Sequence, residues 1–169
     1  MFKLRKATFE DAHAIARVHI RSWKIGYKNI LPESVLSQLD LLEREKRWQE
    51  NLNEKDHSIF VVLKNGEISG FSSLGLCKDS FENPETTVEI TSLYVDPTHW
   101  RKGLGSLLCK KLIQESINYK KLVLWVLKKN LQAQKFYEKL GFKQDGHDGF
   151  TTGFGAGSKL EEIRYSLCF

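Results

Sequence analysis

Two closely spaced glycines, Gly103 and Gly105, follow an apolar strand that stops at Asp96-Pro97 and precede an apolar-periodic helix. In the run T-H-W-R-K-G-L-G-S-L-L this order puts the N–H groups of Arg101 to Ser106 at a helix N-terminus. Free backbone donors and the positive end of the helix dipole suit a phosphate or diphosphate there. A side chain at 103 or 105 would hold such a group away from the backbone. The alternative, a plain glycine turn before a helix, is disfavoured by what flanks it. Glu89 sits mid-strand between Val88 and Ile90, where a carboxylate is costly unless paired or wetted. Downstream, Asn130 caps a second helix that carries Tyr137.

The elements that must position these residues read in order. Phe2 to Ala7 alternates apolar and basic residues as a strand. Thr8 with Glu10 and Asp11 opens a helix through Ile15, Ala16, Val18 and His19 toward Trp23. A second helix starts near Pro32-Glu33 and reaches Trp48, in one or two pieces. Ile59–Leu63 and Ile68–Leu76 form a hairpin around Asn65-Gly66. Lys78 to Thr86 is a loop, Thr87 to Val95 a strand, and Leu104 to Tyr119 a helix burying Leu107, Leu108, Leu112 and Ile113. The wholly apolar Leu122–Leu127 is a central strand. The helix from Asn130 stops at Gly141, and strands near Phe142–Gln144 and Ile163–Leu167 close the chain. Between them, Asp145 to Ser158 holds five glycines and reads as a flexible connection. The order β-α-α-β-β-β-α-β-α-β-β gives an α/β (α+β mixed) fold: a mixed, mostly antiparallel sheet of about seven strands with helices on both faces.

At 169 residues the chain is most simply one domain, residues 1–169. No run of about 18 apolar residues is present, and the N-terminus lacks a signal-peptide core, so a cytoplasmic location without membrane association is expected. Cys77, Cys109 and Cys168 are far apart and outside metal-ligand spacing, which suits reduced thiols and no metal. The net charge of +5 favours anionic ligands, whether nucleic acid or a phosphorylated cofactor. The positive residues are dispersed and no recognition helix or aromatic RNA-binding motif is present, so nucleic acid is not expected.

The segment from Glu89 to Phe142 resembles the GCN5-related N-acetyltransferase (GNAT) superfamily, and the likeness of element order extends over nearly the whole chain. The family's signature of Gln or Arg, two variable residues, Gly, one variable residue and Gly or Ala is met by Trp100-Arg101-Lys102-Gly103-Leu104-Gly105, with Trp departing at the first position. The resemblance implies acetyl-CoA as co-substrate and transfer of its acetyl group to a primary amine, of a polyamine-like small molecule or of a peptide N-terminus, by direct attack. It implies cofactor contacts from Leu93, Tyr94, Val95, Trp100, Arg101, Lys102, Gly103, Leu104, Gly105, Ser106, Asn130, Ala133 and Tyr137. It further implies that the strand ending at Leu93-Tyr94-Val95 splays from Leu122–Leu127, with pantetheine in the gap. The Leu93 N–H would face the thioester oxygen, Glu89 would accept the amine's proton and Tyr137 would protonate the leaving thiolate.

Structural alternatives stand beside these roles: Leu93 as core, Glu89 in an ion pair, Tyr137 as a filler beside Phe136, and Asn130 as a cap only. Lys110, Lys111, Lys128, Lys129, Lys135 and Lys139 are candidates for the 3′-phosphate or solvated faces. The acceptor pocket of such proteins falls in the first two helices, which here bring Trp23, Tyr27 and Trp48, with Glu33, Asp40, Glu43 and Glu45 as acids. A homodimer is common among similar proteins. A second reading keeps the fold as an acetyl-CoA-binding sensor without catalysis.

Overall fold

The computed structural model describes residues 2–152 and 159–169. Its strands are β1 (Phe2–Lys6), β2 (Ser58–Lys64), β3 (Glu67–Leu76), β4 (Thr87–Val95), β5 (Lys121–Leu127), β6 (Lys143–Thr151) and β7 (Leu160–Cys168). Its helices are α1 (Ala12–Gly26), α2 (Glu33–Ser37), α3 (Leu41–Asn53), α4 (Leu104–Glu115) and α5 (Leu131–Lys139). The strands form one sheet in the order β1-β2-β3-β4-β5-β7-β6. Every neighbouring pair is antiparallel except β4 and β5. The expected mixed sheet with helices on both faces is therefore present, and the second helix is indeed two pieces, α2 and α3.

Each face has its own core. On one, Leu104, Leu108 and Leu112 of α4 and Tyr137 of α5 pack on Val88 and Ile90 of β4, Leu122, Leu124 and Val126 of β5, and Ile163 and Tyr165 of β7. On the other, Ile15, Ala16 and Val18 of α1 and Trp48 of α3 cover Ile59, Val61 and Phe71. Because strand side chains alternate, Val88 and Ile90 facing α4 send Glu89 to the α1–α3 face. Helix α4 ends at Glu115, earlier than its periodicity predicts, where the buried Ser116 Oγ donates back to the Leu112 carbonyl at 2.8 Å. Leu107, expected inside, is 41% exposed.

The glycine-rich segment departs from the expected flexible connection. Residues 145–151 belong to β6 and pair with β7 across a bulge between Gln144 and Asp148, with Gly146 at φ +85°. Gly149 packs tightly: a Cβ there would lie 3.0 Å from the Trp125 ring. The rest of the segment, residues 153–158, lies outside the described residues.

Arg164 of β7 is the pin of this region. Its side chain is 1% exposed and reaches Asp79 at 2.8 Å, Glu82 at 2.8 Å and Asp145 at 2.7 Å. Its guanidinium also lies 4.7 Å over Phe81, which stacks on His147. One cation thus folds the β3–β4 loop down onto β7 and β6, on the face of the sheet that carries α1 and α3. A buried charge of this kind is tolerable only when opposite charges surround it, as the three carboxylates do here.

Candidate active site

Strands β4 and β5 pair only at Thr87–Lys121, Val88–Leu122 and Glu89–Val123. Beyond Glu89 they diverge, and residues 90–95 of β4 have no partner on β5. On its other side β4 remains paired to β3, with Leu93 opposite Ser72 and Tyr94 opposite Phe71. The gap leaves backbone donors and acceptors facing each other without a ladder, which an amide-bearing chain can fill.

The helix that starts beside the open end of this gap is α4. Its N-cap, Gly103, has φ +85° and supplies no side-chain cap, so the first N–H groups of α4 are unmatched within the helix. Arg101 is also left-handed, at φ +59°. A non-glycine residue there costs about 1 kcal/mol, and strain of this kind marks a loop shaped for a ligand. Arg101 is exposed and makes no hydrogen bond or ion pair among the described residues, while Lys102 Nζ donates to the Thr98 carbonyl at 2.8 Å. Ser106 is half-buried in the first turn of α4. These features fit a diphosphate.

Trp100 shows why the unusual first residue of the signature is tolerated. Its side chain turns inward against the α4-side core, and its Nε1–H donates to the Val95 carbonyl at 2.7 Å. That carbonyl also accepts from Ser22 Oγ of α1 at 2.9 Å, and the Trp100 ring lies 3.6 Å from a Cβ placed on Gly26. Trp100 braces the phosphate loop against the ends of both β4 and α1. Gly105 faces the gap: a Cβ there would sit 3.4 Å from the Phe136 ring and 3.9 Å from Leu93 Cδ2.

Asn130 caps α5, its side chain accepting from the Ala133 N–H at 3.1 Å, and Ala133 is half-buried. Tyr137, not Phe136, is the more buried aromatic of α5, contrary to the face expected from spacing. The helix rolls Gln134 and Tyr137 inward, and Gln134 Nε2 donates to the Lys128 carbonyl at 2.9 Å. The Tyr137 ring packs edge-on to Phe136 at 5.0 Å and Phe142 at 5.6 Å. Its hydroxyl has no hydrogen-bond partner among the described residues, and burial holds its pKa well above 10.

Glu89 is half-buried on the opposite face, and its carboxyl is pushed up to about 7, first by burial and then by the nearby Asp79. Glu162 of β7, which the sequence did not single out, behaves the same way: burial and Asp79 push it up to about 7. Trp125 lies between β4 and β7 on this face and donates from Nε1 to Asp79 Oδ1 at 3.2 Å. The two hydroxyls Tyr27 and Tyr94 meet at 3.5 Å. Burial raises Tyr27, and Tyr94, Tyr137 and Glu162 add to the rise. Tyr27 thus senses groups from both faces, as expected if the gap joins them.

The remaining acceptor candidates divide. Trp23 is buried in a corner with Leu31, Val35 and Leu36, flanked by Tyr27, Tyr94 and Leu160. Glu33 is exposed in the first turn of α2. Trp48 is not in this corner; it is core, with Nε1 donating to His19 Nδ1 at 3.1 Å. Asp40 caps α3, Glu43 pairs with Arg47 and Glu45 with His13, so these three acids have structural partners. Lys111 pairs with Glu115, whereas Lys110, Lys128, Lys129, Lys135 and Lys139 are exposed. A cleft of about 370 Å³, lined by Ile30, Leu127, Lys128, Phe150, Lys159 and Leu160, opens at the C-terminal end of β5.

Thiol chemistry is disfavoured. Cys77 and Cys109 are buried, with pKa values pushed up to about 11 and about 12, and the exposed Cys168 lies opposite Lys121 at the other end of β5 from the gap. Among the described residues no group of three or more His, Cys, Asp or Glu side chains is placed to hold a metal ion. No helix among them is long and apolar enough to cross a membrane.

Comparison with known proteins adds four findings. The family model described as "Acetyltransferase (GNAT) family" matches residues 22–142. The uncharacterised N-acetyltransferase YuaI of Bacillus subtilis is 28% identical over 168 residues, 96% of this chain and 91% of that protein. The spermine/spermidine N(1)-acetyltransferase of the same organism is 29% identical over 119 residues, 68% of this chain and 78% of its own length. Among solved structures, the PaiA N-acetyltransferase of Thermoplasma acidophilum in complex with coenzyme A superposes with a TM-score of 0.77 at 20% identity, covering 100% of this chain and 99% of that one.

Proposed function

The chain belongs to the acetyltransferase (GNAT) family and is an N-acetyltransferase that draws on acetyl-CoA, and we propose that it acetylates the primary amine of a small molecule or peptide N-terminus by direct attack, residues 1–169 acting as one domain. The observation that carries this reading is the divergence of β4 from β5 immediately after Glu89, beside the uncapped start of α4. A polyamine, the acceptor of the spermine/spermidine relative, and a peptide N-terminus both present such an amine.

The phosphate loop, Arg101 to Ser106, holds the diphosphate through backbone N–H groups, and Arg101 adds charge. Leu93, Tyr94 and Val95 border the gap, where β4 has no partner on β5, and Asn130 and Ala133 border it from α5. The Leu93 N–H stabilises charge on the thioester oxygen. An ammonium cannot attack a carbonyl, so Glu89 takes its proton, directly or through water. Tyr137 faces the departing sulfur. Burial pushes up the thiols of Cys77 and Cys109, and Cys168 lies at the other end of β5 from the gap, which favours transfer in a ternary complex.

The pH dependence follows from Glu89. Its carboxyl titrates near 7, and only the carboxylate accepts a proton, so kcat/KM should fall as pH drops through about 7. Glu89→Gln should flatten that acidic limb and lower the rate at pH 8 by about 100-fold. Stability should move the other way. A carboxyl whose folded pKa is raised contributes stability that is full below its unfolded pKa and lost as pH rises through about 7. Glu89→Gln should therefore unfold at a higher temperature than the parent at pH 8. An unchanged pH profile would remove Glu89 from the chemistry.

The function itself is tested by incubating the protein with acetyl-CoA and a panel of primary amines, following thiol release and identifying the product by mass. An N-acetylated product is expected. Silence with every amine, combined with tight acetyl-CoA binding, would overturn catalysis in favour of a sensor.

A further inference from the structure

Arg44 of α3 is half-buried, with its guanidinium 5.0 Å over the ring of Trp23. Its guanidinium makes no hydrogen bond or ion pair among the described residues. Residues 153–158, Gly-Phe-Gly-Ala-Gly-Ser, bring no acidic side chain. Four of the other arginines are paired, Arg5 with Asp11, Arg21 with Asp96, Arg47 with Glu43 and Arg164 with three carboxylates, whereas Arg17 and Arg101, unpaired among the described residues, are exposed to solvent. The acids beside Arg44 on α3 are engaged elsewhere, Glu43 with Arg47 and Glu45 with His13. A guanidinium taken half out of water without an anion is costly, and burial accordingly presses the Arg44 pKa down. Stacking on Trp23 offsets part of that cost. It leaves the planar fork of donors, the geometry that matches a carboxylate, unmatched.

Arg44 borders the corner where Trp23 packs beside Tyr27 and Tyr94, at ring distances of 5.6 Å and 6.5 Å. Along the same face of the sheet, Glu162 lies two residues along β7 from Leu160, which packs against that corner, and Glu89 lies five residues back along β4 from Tyr94. Burial raises the Tyr94 pKa, and the nearby Arg44 opposes that rise. His19, stacked on Tyr94 at 4.8 Å, is held neutral by burial and adds no second cation. A guanidinium therefore borders the corner, and the carboxyls of this face lie farther along the sheet.

We propose that Arg44 binds a carboxylate of the acceptor, so that the amine acetylated here belongs to an amino acid and not to a polyamine. The inference rests on the transfer reading above and narrows its substrate class. An amino acid with its carboxylate against Arg44 would present its ammonium to the gap beside Tyr94, its proton reaching Glu89 through water. A polyamine would bring a second cation to a site that already holds one.

The test compares kcat/KM for the α-amino acids, for their amides and for spermidine, in the parent, Arg44→Gln and Arg44→Lys. The parent should favour one or more acids over the matching amides by about 10- to 100-fold, the worth of a charge-assisted hydrogen bond. Arg44→Gln should remove that preference, leaving the amides within about 3-fold and the KM for acetyl-CoA unchanged, because a structural loss would depress all substrates alike. Arg44→Lys should restore part of it. Amides or spermidine used as well as the acids, or an equal loss for acids and amides in Arg44→Gln, would overturn the assignment. If no amine of any class is acetylated, the transfer reading fails on its own account. Calorimetry of the same amino acids with coenzyme A-saturated protein then decides: binding that Arg44→Gln weakens supports the site, and its absence overturns it.

Discussion

Tyr137→Phe is expected to lower kcat by about 100-fold while leaving acetyl-CoA affinity and folding stability nearly unchanged. The expectation rests on where the ring and the hydroxyl sit. The ring is held by Phe136 and Phe142, contacts that phenylalanine keeps. The hydroxyl has no partner among the described residues, so its removal breaks no hydrogen bond in the fold. Burial keeps the phenol protonated, above 10, whereas an ordinary thiol titrates near 8.5. Full proton transfer from this phenol to a departing thiolate therefore runs uphill. The hydroxyl works instead as a hydrogen bond that strengthens as charge grows on sulfur, an interaction worth most at the transition state. Steady-state rates at saturating substrates check the first part and calorimetry the second. An unchanged kcat would exclude Tyr137 from the mechanism.

Gly105→Glu is expected to weaken acetyl-CoA binding by more than about 100-fold, the larger effect on affinity of any single change in the loop. The new Cβ points at the Phe136 ring and Leu93, into the mouth of the gap between β4 and β5. The added carboxylate would occupy the region of the free N–H groups of α4 and repel the diphosphate. The helix itself should tolerate the change, because an acidic residue in a first turn is favourable to the dipole. That separates loss of binding from loss of fold. Gly105→Ala, whose Cβ meets Phe136 at ordinary contact distance, should retain measurable binding. Full affinity in Gly105→Glu by calorimetry would refute this placement of the diphosphate.

The elements with strong local signals were legible in the sequence. The Asn65-Gly66 turn, the central apolar β5 and the glycine turn into α4 lie where pattern and turn chemistry put them. What pattern could not carry was pairing over long separation. Asp145 to Thr151 looked flexible by glycine content, yet it is held as a strand by β7 and by Arg164, whose other partners are more than 80 residues away in the chain. The roll of α5 was missed because Ala133, Phe136 and Leu140 form a plausible apolar face. Only the position of the gap makes Tyr137 the inward residue. Glu162 and Arg44 carried no signal in sequence. One becomes notable through its burial beside Asp79, the other through the acids that its neighbours keep occupied. Asp40, Glu43, Glu45 and Trp48 show the converse, residue types suited to a pocket that the fold uses as cap, ion pairs and core.

The divergence of β4 and β5 has a thermodynamic corollary. A sheet unzipped at its centre exposes backbone amides that any other interior strand would shield, and a donor molecule lying there serves as the absent rung. Ligand occupancy and global stability are then one linked equilibrium, with unfolding resisted more strongly as donor concentration exceeds its dissociation constant. Protection of residues 90–95 against hydrogen exchange on adding coenzyme A would be its signature, and unaltered exchange there would sever the link. The rigidity of this enzyme would thereby follow the supply of the molecule it consumes.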